Sequence, residues 1–109
     1  MGKMSRTKGH SFERLIAKAL RVVFKSARRQ LEYQIDDCLG VDLAETGPYR
    51  IQCKRFKGYA PISAIEEIKC NEELGDIPVL ITQGDHKRIL AVIPFEHLIR
   101  LFQIEKINS

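Results

Sequence analysis

A chain of 109 residues, 44% hydrophobic and 29% charged, has the size and make-up of one globular domain with a single core, which excludes a fibrous or disordered chain; a second domain is not expected. Three cysteines without CxxC spacing, and three scattered histidines, exclude a zinc finger or a disulfide framework and point to reduced thiols. The net charge of +4 is unevenly spread: residues 1–57 carry 13 Lys and Arg against 6 Asp and Glu, and residues 58–109 carry 5 against 8. That suits either a side built for a polyanion or plain solubility.

Residues 1–9, MGKMSRTKG, are small, basic and aperiodic, and read as a flexible arm ahead of a single domain spanning 10–109. No apolar run there has the make-up of a signal peptide, and none anywhere approaches the length of a membrane helix, so a soluble cytoplasmic protein is expected. From Ser11, a plausible N-cap, the residues Phe12, Leu15, Ile16, Ala19, Leu20 and Val23 recur at helical spacing to about Ser26. Glu13 falls about 100° from Phe12, at the margin of that stripe. It is either a surface carboxylate favoured by the helix dipole or one that looks along the core edge toward a sheet.

RQLEYQI, residues 29–35, alternates weakly and predicts a first strand. VDLAE and YRIQCKRF then flank Thr46-Gly47-Pro48, a turn, so a hairpin is expected. PISAIEEIKCNEEL predicts a second helix, with Ser63 and Glu66 at capping-box spacing and Ile65, Ile68 and Leu74 facing inward. IPVLIT and ILAVI read as two buried strands, and Pro94 opens a last helix, FEHLIRLFQI. The fold class is therefore α/β, a mixed sheet flanked by helices in the order αβββαββα, with a helical crossover making strands three and four parallel.

A hairpin centred on Gly47 pairs residues whose numbers sum to 94, so Asp42 faces Gln52 with Cβ atoms about 4.5–5.5 Å apart. Lys54 lies two residues along from Gln52, on the same face at about 6–7 Å, while Cys53 and Arg55 point away. Glu45, three from Asp42, falls on the opposite face. An Asp carboxylate, an amide oxygen, the Cys53 main-chain carbonyl and water are hard ligands suited to Mg²⁺. A neighbouring lysine would act on something anionic, which together is phosphodiester-hydrolysis chemistry. The plain alternative is a solvent-facing strand end with an ordinary Asp and Lys.

The Asp-turn-Gln-x-Lys arrangement, with the helical Glu13 upstream, resembles the PD-(D/E)XK nuclease superfamily. IQCKRF is similar to the Gln-x-Lys variant of Mrr-like nucleases. The run from GHSFERLIAKAL through GVDL and IQCKRF to ILAVIPFEHLIRL resembles small Holliday-junction resolvases of archaea and phages, and covers most of the chain. The resemblance implies a restriction-endonuclease-like core, with Asp42 as principal metal ligand, Gln52 at the second acidic position, Lys54 as catalytic lysine and Glu13 as the helix carboxylate. It implies Mg²⁺ or Mn²⁺, held by Asp42, Gln52, the Cys53 carbonyl and Glu13, a branched or four-way DNA substrate, and a homodimer. Gln52 departs from the usual acid, and a neutral amide brings no charge to a divalent cation.

Lys8, Arg28, Arg29, Arg55 and Lys57 are basic residues that either steer DNA or are simply solvated. Asp36 and Asp37 are reserve acids, Tyr49 and Tyr59 either stack on bases or pack at strand ends, and His10, His86 and His97 are expected at the surface or in loops. Two alternatives to a junction resolvase are a nuclease of flaps, ends or modified DNA, and a catalytically silent DNA-binding module of the same fold.

Overall fold

The computed structural model describes residues 2–30 and 39–109, with side chains from residue 9 onward. Its elements follow in the order α1 (Gly2–Leu20), β1 (Arg28–Arg29), β2 (Leu43–Ala44), β3 (Tyr49–Arg55), two 3₁₀ turns (Ile62–Glu67 and Glu72–Leu74), β4 (Ile77–Gln83), β5 (Leu90–Val92) and α2 (Phe95–Ile107). This is a mixed α/β fold, as the patterning implies.

Two features of α1 differ from expectation. The helix begins at Gly2, so the segment expected as a flexible arm is helical and Ser11 sits inside the helix rather than capping it. It ends at Leu20, not near Ser26, where the amides of Val23 and Phe24 both turn back onto the Leu20 carbonyl at 2.9 and 2.8 Å. The adjacent β-branched Val22 and Val23 disfavour a further turn, and both are exposed. The buried face is correspondingly narrow: Phe12, Ile16 and Ala17 pack on Leu43, Ile51, Val79 and Ile81.

The described strands form two sheets rather than one. β1 pairs antiparallel with β2, and β3, β4 and β5 form a second sheet in that order, β3–β4 parallel and β4–β5 antiparallel. The parallel pair fits the predicted crossover; the early hairpin does not become a ladder. Its turn does form, with Gly47 at φ 62° and the Tyr49 amide donating to the Thr46 carbonyl. Residues 31–38, which hold most of the predicted first strand together with Asp36 and Asp37, lie outside the described residues.

β4 is the central strand and its middle, Val79 to Thr82, is buried on both faces. One face meets α1; on the other Leu80 packs with Ala60 and Ala64 of the crossover. That crossover is made of 3₁₀ turns rather than an α-helix. Its amides reach back three residues, Ala64 to Pro61 and Ile68 to Ile65. No side chain caps the first turn, so Ser63 and Glu66 do not form a capping box. Ile68 is buried, but Leu74 is 78% exposed rather than inward. ILAVI is likewise not a buried strand: β5 is a sheet edge, and Ile89, Leu90 and Ala91 are exposed.

α2 begins after Pro94, as predicted. His97, expected at the surface, is buried and shares a 3.0 Å hydrogen bond with the Tyr49 hydroxyl. Tyr49 also meets the Phe24 ring edge-on, which makes it a packing aromatic at the start of β3. No helix among the described residues is long and apolar enough to cross a membrane.

Candidate functional site

The pleat of β3 sorts its side chains. Ile51 and Cys53 join the core beneath α1, whereas Gln52 and Lys54 face the crossover, opposite Leu80 and Thr82 of β4 in register. The expected shared face of Gln52 and Lys54 is therefore present, with Cys53 on the other.

Asp42 reaches this strand differently from the predicted pairing. Its amide donates to the Ile51 carbonyl at 2.8 Å, its carbonyl accepts from the Gln30 amide at 2.8 Å, and its Oδ2 accepts the Cys53 amide at 2.8 Å. A direct Asp42–Gln52 cross-strand pair does not form: β2 pairs in a ladder with β1, and the Asp42 amide bonds to the Ile51 carbonyl instead. Asp42 thus stitches the small sheet to the free edge of the large one. Glu45, at φ 63°, is exposed past the end of β2, where strand parity no longer sets its direction.

Burial lifts the Asp42 carboxyl from its ordinary 3.8 to about 6. The Cys53 N–H bond opposes the shift, the charge of Glu13 adds to it, and Lys54 and Arg29 draw it back. Glu13 is therefore close enough to be felt, on a helix packed against β3. Its Oε2, however, accepts from Arg29 Nε at 2.8 Å in a largely buried ion pair. Arg29, read as either steering DNA or simply solvated, holds the helix carboxylate. The Cys53 thiol is pushed far up, chiefly by burial and then by the Asp42 and Glu13 charges, which makes it an inert core side chain.

On the crossover side stands a residue that the patterning did not single out. Glu67, the last residue of the first 3₁₀ turn, accepts from Gln52 Nε2 at 3.2 Å and lies 3.4 Å from Lys54 Nζ through the same oxygen, Oε2. The Gln52 hydrogen bond first, then the Lys54 charge, holds its carboxyl below the usual range. The backbone supports this placement. Gly40, at φ 73°, lies so close to the Glu67 carbonyl and Ile68 Cα that no Cβ fits there, and the Lys69 amide donates to the Leu39 carbonyl at 2.8 Å. The segment leading to Asp42 is thereby fastened to the turn that carries Glu67. Only the acid missing at position 52 could have prompted a search for another one, and nothing in local spacing says where it lies.

The donor set is of hard oxygens, and Gln52 supplies the clearest vacancy in hydrogen bonding. Its Oε1 is buried with no partner among the described residues, in a side chain only 5% exposed. Such a set fits Mg²⁺ or Mn²⁺, which take one or two protein carboxylates and complete their shell with phosphate and water. Among the described residues no group of three or more His, Cys, Asp and Glu side chains converges as a full cage.

Of the remaining basic candidates, Arg28, Arg55 and Lys57 are exposed, and the side chain of Lys8 lies outside the described residues. Tyr59 donates its hydroxyl to the Arg88 carbonyl at 3.0 Å, with Lys87 Nζ 5.7 Å from its ring centre. Comparison with family models, curated protein sequences and solved structures finds no significant match.

Proposed function

We propose that this chain is a metal-dependent DNA endonuclease with a restriction-endonuclease-like core, acting on branched DNA such as a four-way junction. The observation that carries the reading is the Asp42 carboxylate, half-buried and raised to about 6 at the point where β3 presents Lys54. As a latch for the Cys53 amide alone, an asparagine would serve as well and would bury no charge. A carboxylate kept where it weakens the fold is the pattern of a group retained for chemistry.

In this reading Asp42, the Gln52 amide oxygen and the Cys53 carbonyl hold Mg²⁺ or Mn²⁺, with Glu13 close by on α1. Such an ion would supply Lewis-acid chemistry to a phosphoryl oxygen and to the attacking water. Lys54 brings an ammonium to the oxyanion that forms on the scissile phosphate, and its present hold on Glu67 keeps it aimed at an anion. Arg29 fixes Glu13 in place, and exposed Arg28, Arg55 and Lys57 contact the DNA backbone. In this reading recognition rests on DNA shape and backbone rather than on a long base sequence. Two copies acting together would cut two strands; the apolar side of α2, with Phe95, Ile99 and Phe102 exposed, supports association through that helix.

The test is incubation of the protein with labelled four-way-junction, flap and linear duplex DNA in Mg²⁺, Mn²⁺ or EDTA, beside Asp42→Ala and Lys54→Ala. Paired metal-dependent nicks in the junction alone, lost in both variants, are expected. Cutting of all three substrates would make the chain a general nuclease. Tight binding without cleavage in any metal would leave a DNA-binding module, the reading that the neutral Gln52 favours.

A further inference from the structure

Gln52 sits where a second carboxylate would serve a divalent cation, yet an amide brings no charge. The structure pairs this deficit with a carboxylate from a different element. Glu67 Oε2 stands 3.2 Å from the Gln52 amide nitrogen and 3.4 Å from Lys54 Nζ, and the Gln52 side chain carries a buried oxygen with no donor. We propose that Glu67 is the second carboxylate of the metal site, binding the divalent cation jointly with the Gln52 amide oxygen and so replacing the charge that position 52 lacks. The inference rests on the nuclease reading above, and assigns a metal ligand to the crossover between β3 and β4.

Three features of the geometry carry it. The terminal torsion of a glutamine is soft and roughly two-fold, so a half-turn exchanges amide nitrogen and oxygen without moving the rest of the side chain. The oxygen then takes the nitrogen's place, 3.2 Å from Glu67 Oε2. Neighbouring ligands on an octahedral Mg²⁺ with bonds of about 2.1 Å lie about 3 Å apart, so the two oxygens are spaced as a shared ion requires. Without a cation that arrangement sets two acceptors against each other, and the amide turns its NH₂ to Glu67, leaving the oxygen orphaned. The half-turn would therefore accompany ion binding.

The second feature is charge. Lys54 now neutralises Glu67 at 3.4 Å, and its charge is also felt at Asp42. A divalent ion on Glu67 would take over that neutralisation and leave the lysine for the phosphate. The third is placement. The Glu67 side chain is 59% exposed, open to an arriving ion, while its backbone is clamped against Gly40, two residues ahead of Asp42.

The experiment is Mn²⁺ binding to DNA-free protein, followed by calorimetry and by paramagnetic broadening of the Gln52 side-chain NH₂ signals in ¹⁵N-resolved NMR. Wild type is compared with Glu67→Gln, Asp42→Asn and the transposed pair Gln52→Glu/Glu67→Gln. Thermal melts in EDTA establish that each variant is folded, and Glu67→Gln keeps the size and the amide acceptor at an exposed position. Glu67→Gln is expected to weaken Mn²⁺ by at least about tenfold, a loss already typical of an outer partner of a ligand. The transposed pair should recover most of it by returning the charge to position 52. Wild-type affinity in Glu67→Gln, with affinity lost in Asp42→Asn, overturns the assignment of Glu67 and leaves the nuclease reading standing. Unchanged Mn²⁺ binding in every variant overturns both. Unchanged metal binding with tighter DNA binding in Glu67→Gln would make Glu67 a stand-in for a phosphate on Lys54, and also overturns the assignment.

Discussion

Asp42 Oδ2 accepts the backbone amide of Cys53 at 2.8 Å, so a side chain fills a place on the β3 edge that a neighbouring strand's carbonyl would ordinarily take. The bond is charge-assisted when the carboxylate is ionised, yet burial outweighs it and the carboxyl stays raised.

The pH dependence of stability follows from that shift. The folded state keeps the Asp42 proton up to about 6, and the unfolded chain releases it near 3.8. Between those values the folded state binds more protons, so raising the pH through this window weakens the fold, by about 3 kcal/mol once it is passed. Asp42→Asn retains an acceptor for Cys53 without the charge. In EDTA it is expected to melt higher than wild type above pH 6, with the advantage vanishing below about pH 4. Equal melting temperatures at pH 8 would contradict the burial argument.

Lys54→Ala should lower metal-dependent cleavage by about 10² to 10³-fold, the usual loss when a donor to a developing oxyanion is removed. Mn²⁺ affinity should not fall with it, since the lysine is no ligand. Single-turnover cleavage beside calorimetry separates the two effects, and a parallel loss of metal binding would assign Lys54 to the site's assembly instead.

The basic residues divide into two groups. Arg55→Ala and Lys57→Ala are each expected to weaken DNA binding uniformly across sequences and to reduce the salt slope by about 1. Arg29→Ala should leave the slope unchanged, because its guanidinium is spent on Glu13. Its effect should be on stability, through a largely buried carboxylate left without its partner. Salt titrations of binding and denaturant melts distinguish the groups.

Gly40→Ala should destabilise the fold by about 1–3 kcal/mol, since a left-handed backbone and contact with the Glu67 carbonyl both resist a Cβ. The added atom pushes on the turn that carries Glu67, so the loss should be accompanied by displaced Gln52 side-chain NMR signals. Gly58→Ala, where a Cβ meets nothing within 4 Å, is the matched control.

How far the sequence could be read depends on whether an argument was local. The two-residue repeat of a strand is enough to place Gln52 and Lys54 on one face and Cys53 on the other. The apolar run of IPVLIT marks the central strand because both its faces are covered. ILAVI looks the same in sequence but lies at an edge where nothing covers one side, and composition does not distinguish the two. The Asp42–Gln52 register failed for a related reason: β2 took β1 as its partner, a choice between competing edges that no turn residue records. Arg29 and Glu13 are 16 residues apart, and Gln52 and Glu67 are 15 apart. The first is made by packing α1 on β1 and the second by laying the crossover over β3, so neither leaves a mark on spacing.

Asp42 is bonded through its amide to Ile51 and through its carbonyl to Gln30, and so belongs to both sheets at once. It is the keystone of the seam between them. Exchange of the Cys53 amide proton with solvent requires the Asp42 side chain to let go, and the Asp42 and Gln30 amides lie on the same seam. Hydrogen exchange at these three amides is expected to be correlated, so that opening of the candidate site is read as loosening of the seam between the two sheets.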